Sequence, residues 1–433
     1  MLLGFSLHNF TCFRNFHIGL TAKELLETLS PRKPEDPAVG EVSHQNLPHL
    51  PGAADLAHLP DLANVAPLRN LTVLIGKNGS GKTMLFKALH LISDILTQGI
   101  AQATSEHFEA GFTEIAGNSG SFAAELIFYW EKEYSIYYLR FIQDALGRPH
   151  LDQERLQVIR KRKGAWKVKE LLAFDGIKGR YLDEKNKQYQ EIDLQDRKYT
   201  ALSILGRMRG LGAISRLYLE MSDWYIPELD PEFTRSTKRD YASLGQGIFV
   251  SEGGHKHLKV DCSNAANVIL YYRTKKKENF DHFLERVGKV MMEFTRGTGK
   301  RLLAEGKVAE ISSFLNRLAT GKRKLFYLLL MLEDSRHLVC LEEPDASLHY
   351  SYIGEAALAF REYVMDHPDR QIFLTTQNNY MLDAFAPEEV WILRENAWAQ
   401  AGATSLSEKR LVVNMCQEGI GLGTQWYNGY FEE

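Results

Sequence analysis

Residues 71–83 read Leu-Thr-Val-Leu-Ile-Gly-Lys-Asn-Gly-Ser-Gly-Lys-Thr, a continuous apolar run that leads directly into a glycine-rich loop. The apolar run contains β-branched residues and is typical of a strand buried on both faces of a parallel sheet. The loop has glycine, lysine and threonine at every fixed position of the P-loop pattern. Apolar residues recur at helical spacing from Met84 to Ile92. The stretch therefore supplies the strand, loop and helix that a P-loop requires.

This P-loop predicts a binding site for ATP and Mg²⁺. Glycine residues let successive backbone N–H groups curl around phosphate oxygens at the N-terminus of a helix. We expect Lys82 to bind the β- and γ-phosphates and Thr83 to ligate Mg²⁺. The other expected contacts come from the loop residues Gly76, Lys77, Asn78, Gly79, Ser80 and Gly81. The alternative, a chance glycine-rich turn, is disfavoured by the strand before the loop and the helix after it.

A second strand end supplies the carboxylates that P-loop chemistry needs. The short apolar run from Leu338 to Leu341 is followed directly by Glu342, Glu343 and Pro344. We expect Glu342 to assist in holding Mg²⁺ and Glu343 to act as the general base that accepts a proton from water. The alternative is a surface loop in which two acidic residues adjoin by chance, and the buried-looking strand argues against it.

The sequence Glu-Glu-Pro-Asp-Ala-Ser-Leu-His at residues 342–349 resembles the Walker B motif and D-loop of the ABC-type ATPases of the SMC/RecF and OLD-like class. Residues 9–14 resemble the opening of those proteins, and residues 318–322 lie where they have their signature motif. The resemblance covers residues 1–20, 68 to about 210, and 311–395.

The resemblance implies a dimer in which Thr320 and Gly321 of one chain contact the γ-phosphate bound by the other. A helix N-terminus is physically suited to such an anion. The alternative is an ordinary helix start with Thr320 as the cap residue.

One position departs from the family pattern. The family places a histidine after the strand that follows Walker B, and Gln377 stands at that position in this sequence. Glutamine can donate a hydrogen bond to a phosphate oxygen but cannot carry charge. We expect Gln377 to act in the catalytic site, with ATP hydrolysis that is slow or dependent on a partner.

The composition is that of an ordinary globular protein. Of 433 residues, 44% are hydrophobic and 25% are charged, which argues against a disordered, fibrous or membrane protein. The net charge of −3 excludes a strongly basic chain, so nucleic-acid contact would need a local patch or a partner.

No apolar stretch approaches the length of a membrane helix, and the first residues lack the basic region of a signal peptide. We therefore expect a cytoplasmic protein.

The four cysteines are not spaced as metal-binding cysteines usually are. Cys12, Cys262, Cys340 and Cys416 are far apart, without a CxxC pair, and no histidine grouping has zinc spacing. We expect reduced thiols in the core.

The expected fold is α/β, a P-loop NTPase head of ABC type with an antiparallel β region and a helical insertion. Alternating apolar residues predict antiparallel strands from about 120 to 200, and helical spacing predicts helices at 200–225, 279–304, 321–334 and 350–365. A short amphipathic helix is expected after Thr21. The expected domains are an N-terminal ATPase lobe (1–20 and 68–210), a Pro-rich insertion (21–67), a helical subdomain (211–310), a C-terminal ATPase lobe (311–400) and a tail (401–433).

Two basic clusters are candidates for nucleic-acid contact. The first is a predicted β-hairpin around Trp166 that contains Arg160, Lys161, Arg162 and Lys163. The second is Arg273 with the lysines at 275–277. Each pattern is also typical of a solvated face.

The resemblance implies an ATPase that acts as a homodimer or higher homo-oligomer and controls a partner effector. Similar proteins include stand-alone ATPases of bacterial anti-phage systems, such as Septu, retron and OLD-like loci. OLD-like proteins carry a C-terminal Toprim nuclease, for which this sequence leaves no room, and no HNH-like cluster is present. We therefore expect a separate nuclease partner. The alternatives are a DNA-repair or recombination ATPase that binds DNA directly, and a nucleotide switch that does not hydrolyse ATP.

Overall fold

The computed structural model describes residues 1–29, 66–208, 210–227, 256–291, 294, 297–334, 336–395 and 401–431. The chain forms two compact units, the first comprising Met1–Trp224 and Ala386–Ile420, the second Tyr225–Phe385 and Gly421–Glu433. Most of the insertion expected at 21–67 lies outside the described residues. The domain boundaries expected from the sequence stay a prediction. No helix among the described residues is long and apolar enough to cross a membrane.

The strands and helices of the described chain include elements that the sequence patterns did not predict, and the helix expected at 200–225 is two helices, Ala201–Leu205 and Gly212–Ser222. The strands are β1 (Leu2–Phe10), β2 (Phe13–Gly19), β3 (Leu71–Ile75), β4 (Ser121–Trp130), β5 (Glu133–Gln143), β6 (Pro149–Arg162), β7 (Ala165–Asp175), β8 (Lys178–Asp183), β9 (Gln188–Asp193), β10 (Leu338–Leu341), β11 (Gln371–Thr375), β12 (Val390–Glu395) and β13 (Ala401–Ser405). The helices are α1 (Ala22–Leu29), α2 (Lys82–Gln98), α3 (Ile100–His107), α4 (Phe112–Ala116), α5 (Ala201–Leu205), α6 (Gly212–Ser222), α7 (Ala265–Lys275), α8 (Lys277–Val290), α9 (Thr298–Glu305), α10 (Val308–Arg317), α11 (Thr320–Glu333), α12 (Tyr350–Asp366), α13 (Asn379–Leu382), α14 (Arg410–Gln417) and α15 (Leu422–Tyr427).

The first unit contains a large antiparallel sheet and the strand that leads into the P-loop. The antiparallel sheet has the order β2-β1-β4-β5-β6-β7-β8-β9. Separately, β3 pairs in parallel with β12, and β12 pairs antiparallel with β13. All five residues of β3 are buried, as the continuous apolar run predicts. The antiparallel β region and the P-loop strand expected from the sequence are therefore confirmed.

Aromatic side chains form a buried cluster at the β2-β1-β4 edge of the antiparallel sheet. Phe10 and Phe13 stack with their ring centroids 6.5 Å apart, and Phe13 contacts Phe16 at 4.4 Å. Phe122 contacts Phe10 at 5.2 Å, and all four rings are almost completely shielded from solvent. Such large apolar side chains supply most of the free energy gained when a sheet face is buried.

The short helix expected after Thr21 is present as α1. Thr21 and Glu24 form a reciprocal cap, since Thr21 Oγ1 accepts from the backbone of Glu24, and Glu24 Oε2 accepts from the backbone of Thr21. Leu25 is fully buried in a cluster with Leu3 and Ile127 of the antiparallel sheet. The helix therefore packs back on the main body, as its amphipathic pattern predicts.

The second unit is mainly helical around a two-stranded parallel pair. In this unit β10 pairs in parallel with β11, and Tyr225 adds a parallel bridge to Val339. The helix α11 is buried from Arg323 to Glu333. The single helix expected at 279–304 is wrong, because α8 ends at Val290, Met291 takes an extended conformation, and α9 begins only at Thr298. Periodicity could not show this break, since apolar spacing continues across it.

A buried carboxyl group joins the antiparallel sheet to α5. Glu154 of β6 accepts hydrogen bonds from the Tyr137 hydroxyl at 2.8 Å and from the backbone N–H groups of Ala201 and Leu202. Burial raises the pKa of Glu154 from 4.5 to about 7, and the hydrogen bonds oppose that rise only in part. The folded chain therefore binds a proton at Glu154 more tightly than the unfolded chain does.

This raised pKa predicts a pH-dependent contribution to stability. It is complete below pH 4.5 and is lost as the pH rises through about 7. Over this window we expect the free energy of unfolding of the wild type to fall by about 1–3 kcal/mol relative to Glu154→Gln, measured by urea denaturation. Glu191→Gln, on the exposed end of the sheet, is the control and should keep the wild-type pH dependence. Parallel pH profiles for wild type and Glu154→Gln would contradict this prediction.

Candidate nucleotide-binding site

The P-loop occupies the turn between β3 and α2 in the first unit. Gly76 has φ +151°, and a Cβ there would overlap the carbonyl oxygen of Leu393 and lie 2.7 Å from Ser80 Oγ. Only glycine combines this backbone conformation with so close an approach to another strand. Gly81, with φ +98°, then turns the chain into α2 as its N-cap residue. The two glycines fix where the loop leaves the sheet and where the helix begins.

The side chain of Lys82 lies along the loop that precedes it. Its Nζ donates to the carbonyl oxygens of Gly76 at 2.7 Å and Lys77 at 3.1 Å, and the residue is 8% exposed. The Ser80 backbone N–H donates to Lys77 O at 3.1 Å, which closes the turn. A positive charge is thereby held at the N-terminus of a helix of 17 residues, where the helix dipole already favours an anion.

The loop leaves polar groups that a phosphate would satisfy. Ser80 is 5% exposed, and its Oγ has no hydrogen-bond partner among the described residues. No side chain caps the N-terminus of α2, where the N-cap residue is Gly81. A buried hydroxyl without a partner costs free energy, and an uncapped helix start presents backbone donors. The residues present therefore fit a bound phosphate, while the exposed Lys77, Asn78 and Thr83 line the outer side of the loop.

A second group of expected site residues lies at the end of β10 in the second unit. Glu342 is exposed and Glu343 is half-buried. Glu343 has φ +40°, an unusual value for a residue other than glycine, and its backbone N–H donates to Thr375 Oγ1 at 3.0 Å. Its carboxylate Oε1 accepts from Gln377 Nε2 at 2.8 Å. The structure thus brings together the expected base and Gln377.

A buried lysine holds the turn that carries Glu343. Lys324 of α11 donates from Nζ to the carbonyl oxygens of Glu343 at 2.7 Å and Ala346 at 3.0 Å, and it is 6% exposed. The same turn contains a left-handed Ser347, with φ +67°. Charge-assisted hydrogen bonds of this kind can hold a strained turn in place. Sequence reasoning missed Lys324, because its role depends on a helix that is distant in sequence from Glu343.

Asp345 lies in the same turn. The sequence motif gave no role to this residue. It is 8% exposed, and burial raises its pKa although a hydrogen bond with Thr376 opposes that shift. Its Oδ1 has no hydrogen-bond partner among the described residues. The motif Glu-Glu-Pro-Asp could have drawn attention to this carboxylate, but only the fold shows that it is buried.

The segment expected to be the signature motif lies at the start of α11. The N-cap residue is Ala319 and no side chain caps the helix, so the alternative that Thr320 is the cap residue is wrong. A Cβ at Gly321 would lie 2.5 Å from the carbonyl oxygen of Ser347. Glycine is therefore needed here by a contact within the same chain, whatever role the segment has toward a nucleotide.

The basic hairpin expected between β6 and β7 is present, but part of its charge is already neutralised. Arg160 lies 2.6 Å from Glu133 and 2.7 Å from Glu184, and Lys161 Nζ lies 5.5 Å from the centre of the Trp166 ring. Arg162 and Lys163 at the hairpin tip are exposed. In the second cluster, the Arg273 guanidinium donates to the carbonyl oxygens of Leu303 and Gly306. Both arginines thus have a structural role.

Comparison with known proteins finds that the P-loop region is similar to a described family. The sequence model of the family described as "AAA domain, putative AbiEii toxin, Type IV TA system" matches residues 71–186, which contain the P-loop and part of the antiparallel sheet. None of the curated proteins compared with the chain matches it.

Three solved structures are similar to the chain at low identity. An SMC head bound to the C-terminal winged-helix domain of ScpA is 12% identical, with 94% of this chain and 98% of that chain covered and a TM-score of 0.45. The SMC head domain from Thermotoga maritima is 12% identical, with 93% and 98% covered and a TM-score of 0.38. An Smc head with an extended coiled coil, bound to the C-terminal domain of ScpA derived from Pyrococcus furiosus, is 9% identical, with 96% and 99% covered and a TM-score of 0.38.

The structure and the family match agree on the class of protein. A buried strand, a glycine-rich loop and a long helix form a P-loop, and residues 71–186 match an AAA domain. The α/β fold with a large antiparallel sheet and helices, expected from the sequence, is confirmed. The chain has the fold of a P-loop ATPase.

The contacts of Lys324 predict that removing its charge loosens the turn at Glu343. In Lys324→Met, two half-buried carbonyl oxygens lose their charged donor, and we expect the free energy of unfolding to fall by about 1–3 kcal/mol. Urea denaturation measures this change. Lys300→Met, at an exposed position of α9, is the matched control and should leave stability within about 0.5 kcal/mol of wild type. Equal stability of the two variants would show that Lys324 does not hold the turn.

Proposed function

We propose that the chain binds ATP at the P-loop and hydrolyses it. The observation that carries this proposal is the P-loop itself, with Lys82 folded over the loop, the Ser80 hydroxyl buried without a partner and the start of α2 uncapped. These groups all favour an anion with several oxygens, and a triphosphate is the ligand for which this loop pattern is specific.

Each residue in the proposed reaction has a chemical role. Lys82 binds the β- and γ-phosphates, and Thr83 and Glu342 hold Mg²⁺, which neutralises charge on the phosphate oxygens when it is bound. Glu343 accepts a proton from the attacking water. Because Gln377 donates to Glu343 Oε1, it orients the carboxylate and leaves the other oxygen to act as the base. Gln377 is therefore a positioning residue for the base.

We also propose that the active form is a homodimer or higher homo-oligomer. The support is the uncapped start of α11, where Thr320 and Gly321 lie at the N-terminus of a helix of 14 residues. The resemblance to the SMC/RecF and OLD-like class suggests that this helix start meets a phosphate bound by a second chain. By the same resemblance, the dimer controls a separate effector such as a nuclease, with anti-phage defence as the setting.

One observation favours a second candidate, a nucleotide switch with little or no turnover. The hydrogen bond from Gln377 occupies one oxygen of the expected base, and glutamine cannot carry the charge that the family histidine can. In this case ATP binding alone would drive dimerisation. Measurement of turnover separates the two candidates.

The proposed roles predict different defects in two variants. Lys82→Ala should weaken ATP binding by about tenfold or more, because charge-assisted hydrogen bonds to phosphate are lost. Glu343→Gln should keep ATP binding and lower Mg²⁺-dependent turnover by about a hundredfold or more. Phosphate release and ATP titration measure these effects, and the mass in solution with ATP reports dimer formation.

Tight ATP binding by a wild-type protein with no turnover, and unchanged behaviour of Glu343→Gln, would support the switch instead. Wild-type ATP affinity in Lys82→Ala would contradict nucleotide binding at the P-loop.

Gln377→Ala tests the positioning role. Loss of the hydrogen bond to Glu343 should lower turnover by about tenfold without changing the affinity for ATP. Gln190→Ala, on the exposed strand β9, is the control and should have wild-type turnover. A rise in turnover would instead mean that Gln377 restrains the base, as the switch requires.

A further inference from the structure

Three potential metal ligands converge in the first unit, away from the P-loop. His90 and Asp94 lie one turn apart on α2, and His107 is the last residue of α3. His107 Nε2 lies 2.7 Å from Asp94 Oδ2, and His90 Nε2 lies 3.6 Å from the same oxygen. One ligand atom from each residue lies within 4.8 Å of the others. The two imidazole ring centres are 4.4 Å apart.

Hydrogen bonding among the three side chains is incomplete. His107 has a short hydrogen bond to Asp94. His90 makes no hydrogen bond within the described part of the chain, although its side chain is only 23% exposed and its Nε2 points toward the carboxylate. His90 thus meets Asp94 only at ion-pair distance, 3.6 Å, which is longer than a good hydrogen bond. Asp94 therefore forms a hydrogen bond with His107 and only a longer ion pair with His90.

A tetrahedral metal ion would satisfy all three groups. Zn²⁺ binds histidine nitrogen and carboxylate oxygen at about 2.0–2.2 Å, so tetrahedral ligands lie about 3.3 Å from one another. The two measured separations from Asp94 Oδ2, 2.7 Å and 3.6 Å, lie on either side of that value. Imidazole ligands favour Zn²⁺ and similar transition metals over Mg²⁺ or Ca²⁺, which prefer oxygen.

We propose that His90, Asp94 and His107 form a binding site for a divalent transition-metal ion, with Zn²⁺ as the best match and solvent in the fourth position. The side chains are 14–23% exposed, so an ion can enter from solvent. The spacing of histidines along the sequence does not show this group. The third ligand comes from the next helix, and such a set is invisible to a search for short motifs.

The bound metal links α2 to α3. His90 lies eight residues beyond Lys82 on the same helix, which is about 12 Å along the axis. The site is therefore distinct from the loop that would hold nucleotide and its Mg²⁺. A metal that joins the two helices stabilises the folded state, because the unfolded chain does not present the three ligands together. This inference does not depend on ATP hydrolysis.

The test uses the full chain without nucleotide or Mg²⁺. After treatment with a chelator, the wild type should bind one Zn²⁺ in a competition titration with a chromophoric chelator, and Zn²⁺ should raise its Tm. Co²⁺ should give the visible absorption of a tetrahedral site. His107→Ala and Asp94→Asn should each weaken Zn²⁺ affinity by at least about tenfold. His17→Ala, which removes an exposed histidine of β2, is the matched control and should bind as the wild type does.

The Co²⁺ spectrum and the Tm shift of the wild type keep the test decisive if a variant fails to fold. Wild-type protein that gives neither a tetrahedral Co²⁺ spectrum nor a Zn²⁺-dependent Tm shift would overturn the proposal. Equal Zn²⁺ affinity in wild type, His107→Ala and Asp94→Asn would also overturn it, since binding would then occur elsewhere.

Discussion

The backbone of Gly76 lies so close to the carbonyl of Leu393 that no side chain fits between them, and this contact joins the end of β3 to the end of β12. The first turn of α2 starts only a few residues further on, after Gly81. The loop between these two fixed points must curl, and its carbonyl groups face the ammonium of Lys82. Close packing of two parallel strands therefore determines the shape of the phosphate-binding loop.

In the second unit, the turn that carries Glu343 depends on a buried charge as well as on a glycine. Glu343 and Ser347 both adopt left-handed backbone conformations, each of which costs free energy in a residue with a side chain. Lys324 compensates by donating to two carbonyl oxygens of the same turn. The turn also depends on Gly321, which leaves room for the Ser347 carbonyl. Gly321, in the expected signature segment, thus has a structural reason to be glycine, beside any role toward a nucleotide.

The hydrogen bond between Gln377 and Glu343 sets the chemical character of the proposed site. A histidine at this position could share a proton with the carboxylate, whereas a glutamine only donates to it. The bond limits the rotation of the carboxylate and favours one oxygen as the base.

The sequence by itself determined the P-loop, the buried strand before it, the helix after it and the antiparallel region, because each depends on residues that are neighbours along the chain. It also placed Glu342, Glu343 and Gln377 directly after apolar strands. It did not reveal Lys324, the buried Asp345 or the cluster of His90, Asp94 and His107. Those contacts join residues from different elements, so only the tertiary structure decided them. Local sequence patterns predict strands, helices and turns. The partner of a buried charge depends instead on how distant segments pack.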